Sequence, residues 1–68
     1  MQKRSLTLAG HKTSVALEPE FWQALEDMAA VRGLPLTSLI REIDEARERD
    51  NLSSAVRVAV LRWARSGR

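Results

Sequence analysis

Cysteine and tyrosine are absent from this chain of 68 residues, which holds one histidine, two prolines and three glycines. Without cysteine there is neither a disulfide framework nor a thiolate metal site. A lone His11 reads as a packed or hydrogen-bonding residue, because a metal centre needs several donors. No glycine-rich loop is present to cradle a phosphate, and so short a chain has little room for a substrate cavity. These absences argue against an enzyme, and no metal or cofactor is expected. No apolar run approaches the length of a membrane span, and the apolar part of Met1–Gly10 is too short for a signal peptide. A cytoplasmic protein without a membrane partner is therefore expected.

The charge is small in sum and uneven in place. Eleven basic and nine acidic residues leave a formal +2. Residues 1–17 carry Lys3, Arg4 and Lys12 and no acid; all nine acids fall within 18–50, and residues 51–68 carry Arg57, Arg62, Arg65 and Arg68 without any. Basic ends around an acidic middle suit a polyanionic partner at one end of the molecule, although terminal arginines also serve to solubilise small domains.

From Lys12 to Leu17 the side chains alternate. Lys12, Ser14 and Ala16 are polar or small, and Val15 and Leu17 fall on the opposite face, which is the period of a half-buried strand. His11 and Thr13 share the parity of Val15. Residues 1–10 read as a basic flexible arm and the rest of the chain as helix, so the 11–17 segment has no second strand to pair with. A lone strand leaves its backbone donors and acceptors open, and a chain this short has little core to spare. Pairing antiparallel with the same strand of a second copy answers both needs. Such a ribbon would present Lys12, Ser14 and Ala16 twice on one face, and it fits a DNA major groove.

Helical spacing dominates after Leu17. Pro19 suits a first helical turn, flanked by Glu18 and Glu20 at the positive end of the helix dipole. Phe21, Leu25 and Met28 form an apolar stripe, and Gly33 is the natural left-handed terminator. The next helix begins at Pro35 or, capped by Thr37, slightly later; Leu36, Leu39, Ile40 and Ile43 are its stripe. Its charged end, Glu45 to Asp50, reads as a solvated surface. Asn51 or Ser53 caps a third helix, in which Leu52, Val56, Ala59, Val60 and Trp63 share a face. Val58 and Leu61 lie elsewhere on it, among Arg57, Arg62 and Arg65, so this helix has a second apolar surface suited to a partner subunit. Trp22 and Trp63 have aliphatic neighbours at helical spacing and read as core residues rather than stacking platforms. The expected architecture is mainly α: one strand at 11–17 and helices at about 19–32, 35–48 and 52–65, in a single domain over 11–68.

The string Val15-Ala16-Leu17 before an acidic helix start, with Leu25, Gly33 and Leu39-Ile40, resembles the ribbon-helix-helix (Arc/MetJ-like) superfamily over roughly residues 11–48. His11 to Glu18, with Phe21-Trp22, Ile43-Asp44 and Asn51-Leu52-Ser53-Ser54-Ala55, is similar to a compact bacterial subfamily of stand-alone domains of this type. The resemblance implies an intertwined homodimer that lays its ribbon in the major groove of double-stranded DNA. The base-reading positions carry over onto Lys12, Ser14 and Ala16: a lysine can donate to guanine, a serine can donate or accept, and an alanine can meet a thymine methyl. The family's phosphate clamp, at the backbone amides opening the second helix, falls near Leu36, Thr37 and Ser38. Lys3 and Arg4 are placed to neutralise flanking phosphates from the arm. Val15, Leu17, Phe21, Leu39, Ile40, Ile43, Val56 and Val60 are expected at the dimer interface. The function so implied is a sequence-specific DNA-binding homodimer acting as a transcriptional repressor, with dimers able to associate further on DNA. The alternative is an antitoxin-like or adaptor module that docks another protein on the apolar third helix.

Overall fold

A computed structural model describes residues 1–48 and 51–67. Arg49 and Asp50, the end of the charged stretch read as solvated surface, lie outside the described residues, as does Arg68 of the basic C-terminus. The element order is β1 (Gln2–Leu8), β2 (His11–Leu17), α1 (Pro19–Arg32), α2 (Leu36–Ala46) and α3 (Leu52–Arg65).

The three helices lie where the residue pattern predicts them, but the N-terminal segment does not behave as an arm. Residues 2–8 form a strand that pairs antiparallel with β2 along its whole length, from Gln2 opposite Leu17 to Leu8 opposite His11. The connection is the two residues Ala9 and Gly10, at φ of 51° and 83°. Two consecutive positive φ values are the mark of the tight hairpin turn whose twist matches that of its strands. Gly10 adopts this conformation freely, whereas Ala9 does so against a steric cost that the ladder must offset.

Opposed residues in a ladder share a face. Arg4, Leu6, Leu8, Thr13, Val15 and Leu17 therefore point to one side, and Lys3, Ser5, Thr7, Lys12, Ser14 and Ala16 to the other. The first side is covered by the helices. Leu8, Val15 and Leu17 join Trp22, Leu25, Met28, Ala29, Leu39, Ile40, Val56 and Val60 in one core, with Leu6, Phe21, Leu36, Ile43, Leu52 and Trp63 packed against it. Both tryptophans are thus packing residues, Trp22 almost wholly enclosed and Trp63 half-buried.

Each helix ends for a local reason. Gly33, at φ 67°, closes α1: its amide donates to the Ala30 carbonyl at 3.2 Å and that of Leu34 to Ala29 at 2.9 Å, the two bonds of a Schellman cap. The α2 helix starts at Leu36 with Pro35 as an extended N-cap, one residue later than a helix opening on Pro35 itself. It stops at Ala46 instead of continuing to residue 48. Arg47 swings into extended backbone there (ψ 150°), its guanidinium 2.6 Å from Asp44 in the last turn. Asn51 caps α3, its side-chain oxygen accepting from the Ser54 amide at 2.7 Å.

Polar contacts tie β1 and the end of β2 to the helices. The Trp22 indole Nε1 donates to the Gln2 carbonyl at 3.0 Å, and the Arg4 guanidinium stacks on the same ring at 4.4 Å while facing Glu26 at 3.5 Å. Just past the end of β2, Arg57 of α3 donates twice to one carboxylate oxygen of Glu18, at 2.9 and 3.1 Å, and lies over the Phe21 ring. A hydrogen bond from its own backbone amide, followed by those from Arg57, holds the Glu18 carboxyl below its ordinary value of 4.5.

Deleting residues 1–8 withdraws Leu6 and Leu8 from the core and strips β2 of its ladder. The expected cost is about 3–5 kcal/mol, a fall in melting midpoint of roughly 15–30 °C in a domain this small. An unchanged midpoint in a thermal scan would make the segment an arm after all. Because the Glu18 carboxyl is lowered on folding, its stabilising effect is present above the unfolded value and is lost as pH falls through the folded one. A Glu18→Gln variant is therefore expected to lose stability less steeply than the parent below about pH 5. Parallel acid limbs in melts from neutral pH to pH 3 would contradict this.

Candidate nucleic-acid interface

The outer side of the hairpin holds six side chains in three cross-strand pairs: Lys3 with Ala16, Ser5 with Ser14, and Thr7 with Lys12. Ala16 is half-buried and the other five are exposed. None is acidic, and the chain carries no acid before Glu18. The two lysines stand at diagonally opposite corners, four residues apart along the ladder, or about 13 Å at strand rise. The other four supply three hydroxyls, each able to donate or accept, and two methyl groups, those of Thr7 and Ala16. A two-stranded ribbon of this kind has the width a DNA major groove admits.

Lys12, Ser14 and Ala16 come together on this face as expected, and Lys3 joins them. Ser5 and Thr7 are additions that the sequence reading missed. Their signal was there, in the alternation of Lys3, Ser5 and Thr7 against Arg4, Leu6 and Leu8 ahead of Ala9-Gly10. Arg4 belongs to the opposite side: its guanidinium is held between the Trp22 ring and Glu26, so it is a clamp on α1 and not a free cation.

The first turn of α2 stands apart. Pro35 supplies no side-chain cap; the Ser38 amide already donates to the Pro35 carbonyl at 3.0 Å, leaving Leu36 and Thr37 as the open amides. The end of α2 that meets the hairpin tip is the other one. Asp44 and Arg47 line a hollow of about 290 Å³ together with Leu8, His11, Lys12 and Thr13. Leu36 lies eight residues from Asp44, roughly 12 Å of helix rise, so the structure does not set these amides beside the hairpin tip. His11 is exposed at that tip, and the described residues hold no cluster of His, Cys, Asp or Glu suited to a metal ion.

The residues assigned to a dimer interface mostly serve the single chain. Val15, Leu17, Leu39, Ile40, Val56 and Val60 are all buried within it. Phe21 and Ile43 are half-buried and remain at the surface. The large apolar side chains left open on α3 are Val58 and Leu61, 41% and 55% exposed. Among the described residues no helix is long and apolar enough to cross a membrane.

No curated protein and no solved structure matches the chain. A family model described as a ribbon-helix-helix domain matches residues 1–64. That span takes in both strands and all but the last residue of the third helix, so β1 lies inside the matched domain. The chain accordingly belongs to the ribbon-helix-helix domain family, whose members generally bind DNA as transcription regulators.

Proposed function

We propose that this protein binds double-stranded DNA sequence-specifically by laying the outer side of its own β1–β2 hairpin in the major groove, and that it represses transcription by occluding a promoter. One observation carries the reading. Six outward side chains on a two-stranded ribbon include two lysines and no acid, while all the apolar side chains of β1 and β2 apart from Ala16 turn inward. A strand pair that served only to cover the core would gain nothing from keeping one side uniformly free of carboxylates.

The roles follow from side-chain chemistry. Lys3 and Lys12 supply the electrostatic contact, and either can donate to guanine where its corner reaches a base edge. Ser5, Thr7 and Ser14 discriminate through short hydroxyl contacts, and Ala16 packs on a thymine methyl. The open amides of Leu36 and Thr37 remain available to a phosphate lying beyond the ribbon. Two copies acting together, as a cytoplasmic homodimer, would double the site on DNA.

Replacing Lys3 and Lys12 together by alanine is expected to weaken DNA binding at least tenfold and to lower the salt slope by about one per lysine, with circular dichroism unchanged. Ser5→Ala and Thr7→Ala are expected to relax preference at one or two base positions in a selection from random sequence, each by roughly 1–3 kcal/mol where a base contact is lost. A double lysine variant that shifts DNA probes as tightly as the parent would sink the reading. Preserved preference in Ser5→Ala and Thr7→Ala would restrict readout to β2.

A further inference from the structure

A second hollow lies away from the strands, between the end of α2 and α3. Its volume is about 300 Å³, at the small end of the range that ligand pockets occupy. Ile43 and Ala46 of α2 and Ala55, Val58 and Ala59 of α3 form its apolar walls. Most of these are alanines, whose short side chains leave the space between the two helices unfilled.

The charged residues around it are not equivalent. Arg47 is committed to Asp44 at 2.6 Å. Arg62 and Glu48 are exposed, and neither has an ion-pair partner among the described residues, although both line this one hollow. Arg4, Arg32, Arg41 and Arg57 do have such partners elsewhere in the chain. A cation and an anion that border one small space without meeting give it a positive side and a negative side.

Electrostatics then selects the occupant. An organic anion, a nucleic-acid phosphate included, is attracted by Arg62 but repelled by Glu48, and a simple amine meets the reverse. A small molecule that carries both charges a few bonds apart, beside an apolar body, satisfies every side of the hollow together. An α-amino acid with an aliphatic side chain is such a molecule. Its carboxylate accepts from the Arg62 guanidinium, whose planar fork matches two carboxylate oxygens. Its ammonium group donates to Glu48, and its side chain lies against Ile43, Ala55 and Ala59 and covers part of Val58, which is 41% exposed without it.

We propose that the hollow between α2 and α3 is a binding site for a free aliphatic α-amino acid, with Arg62 taking its carboxylate and Glu48 its ammonium group. The proposal goes beyond the DNA reading and does not rest on it, since none of the lining residues belongs to the hairpin.

Titration of the isotope-labelled full chain with L-leucine, followed by nuclear magnetic resonance in the absence of DNA, tests the site. The expected result is a saturable shift of the Ala46, Ala55 and Ala59 amides. Isocaproate, which is leucine without its ammonium group, and isoamylamine, which lacks the carboxylate, are each expected to bind about fivefold or more weakly. Arg62→Gln is expected to lower leucine affinity towards that of isoamylamine, and Glu48→Gln towards that of isocaproate. Both side chains are exposed, so thermal melts of the two variants are expected to match the parent. The two analogues are compared on the parent protein, which keeps the test independent of how any variant folds. Four results would overturn the proposal: no saturable shift up to tens of millimolar leucine, either analogue binding as tightly as leucine, leucine affinity unmoved in both variants, or the same amides shifting with protein concentration alone. The last result would assign the hollow to a second copy of the chain.

Discussion

The arrangement rests on the antiparallel pairing of Gln2–Leu8 with His11–Leu17 across two residues of positive φ. Closing the ladder within the chain sets the parity of every residue before Glu18, because a two-residue turn leaves no freedom of register. One side must then be apolar enough to cover the helices, and the other is released from any packing duty. A slip by one residue would send Val15 and Leu17 to solvent and Lys12 and Ser14 into the core. The core therefore guards the register, and the register in turn sets the composition of the exposed side.

Residues 2–8 would make a poor strand alone. Leu6 and Leu8 are its apolar contribution, near the turn, while its far end would be left with Gln2 and Arg4 facing inward. Trp22 resolves this with one side chain. Its ring, 1% exposed, supplies an apolar wall, its indole N–H satisfies the Gln2 carbonyl, and its face receives the Arg4 guanidinium. A cation on a buried-edge aromatic contributes more than an exposed ion pair, so Arg4 is held by the ring at least as much as by Glu26. The Glu18–Arg57 contact secures the other strand at the same open end of the hairpin, where the chain leaves β2 for α1.

The helices were legible in the sequence because their boundaries are marked by local chemistry. Pro19 in a first turn, Gly33 in the left-handed region and Asn51 as a cap each act on their own neighbours, so no tertiary information is needed. The first strand was not legible, since its positions on the helix side include the polar Gln2 and Arg4, whose contacts are made with a tryptophan some twenty residues away. Ala9-Gly10 is also a weaker turn signal than Asn-Gly, because alanine enters positive φ only at a cost. The residues expected at a dimer interface pose a related question. Apolar periodicity shows that Val15, Leu17, Leu39, Ile40, Val56 and Val60 must be covered, but not by which chain, and here β1 and α3 of the same chain supply the cover. Of the candidate site, Lys12, Ser14 and Ala16 followed from strand parity alone, whereas Ser5 and Thr7 required β1 to be recognised as a strand.

A ribbon contained in one chain changes what its outer side can encode. In a ribbon shared by two identical strands, three positions are repeated by symmetry, and the six contacts must read a palindromic core. In this hairpin the paired positions differ: Lys3 faces Ala16, and Thr7 faces Lys12, with only Ser5 and Ser14 alike. On the proposed reading, a cation at each of two opposite corners and unlike neighbours at the others define a direction along the groove, so one hairpin suffices to distinguish a site from its reverse complement. On the same reading, any two-fold symmetry between two copies would act on whole half-sites rather than inside one.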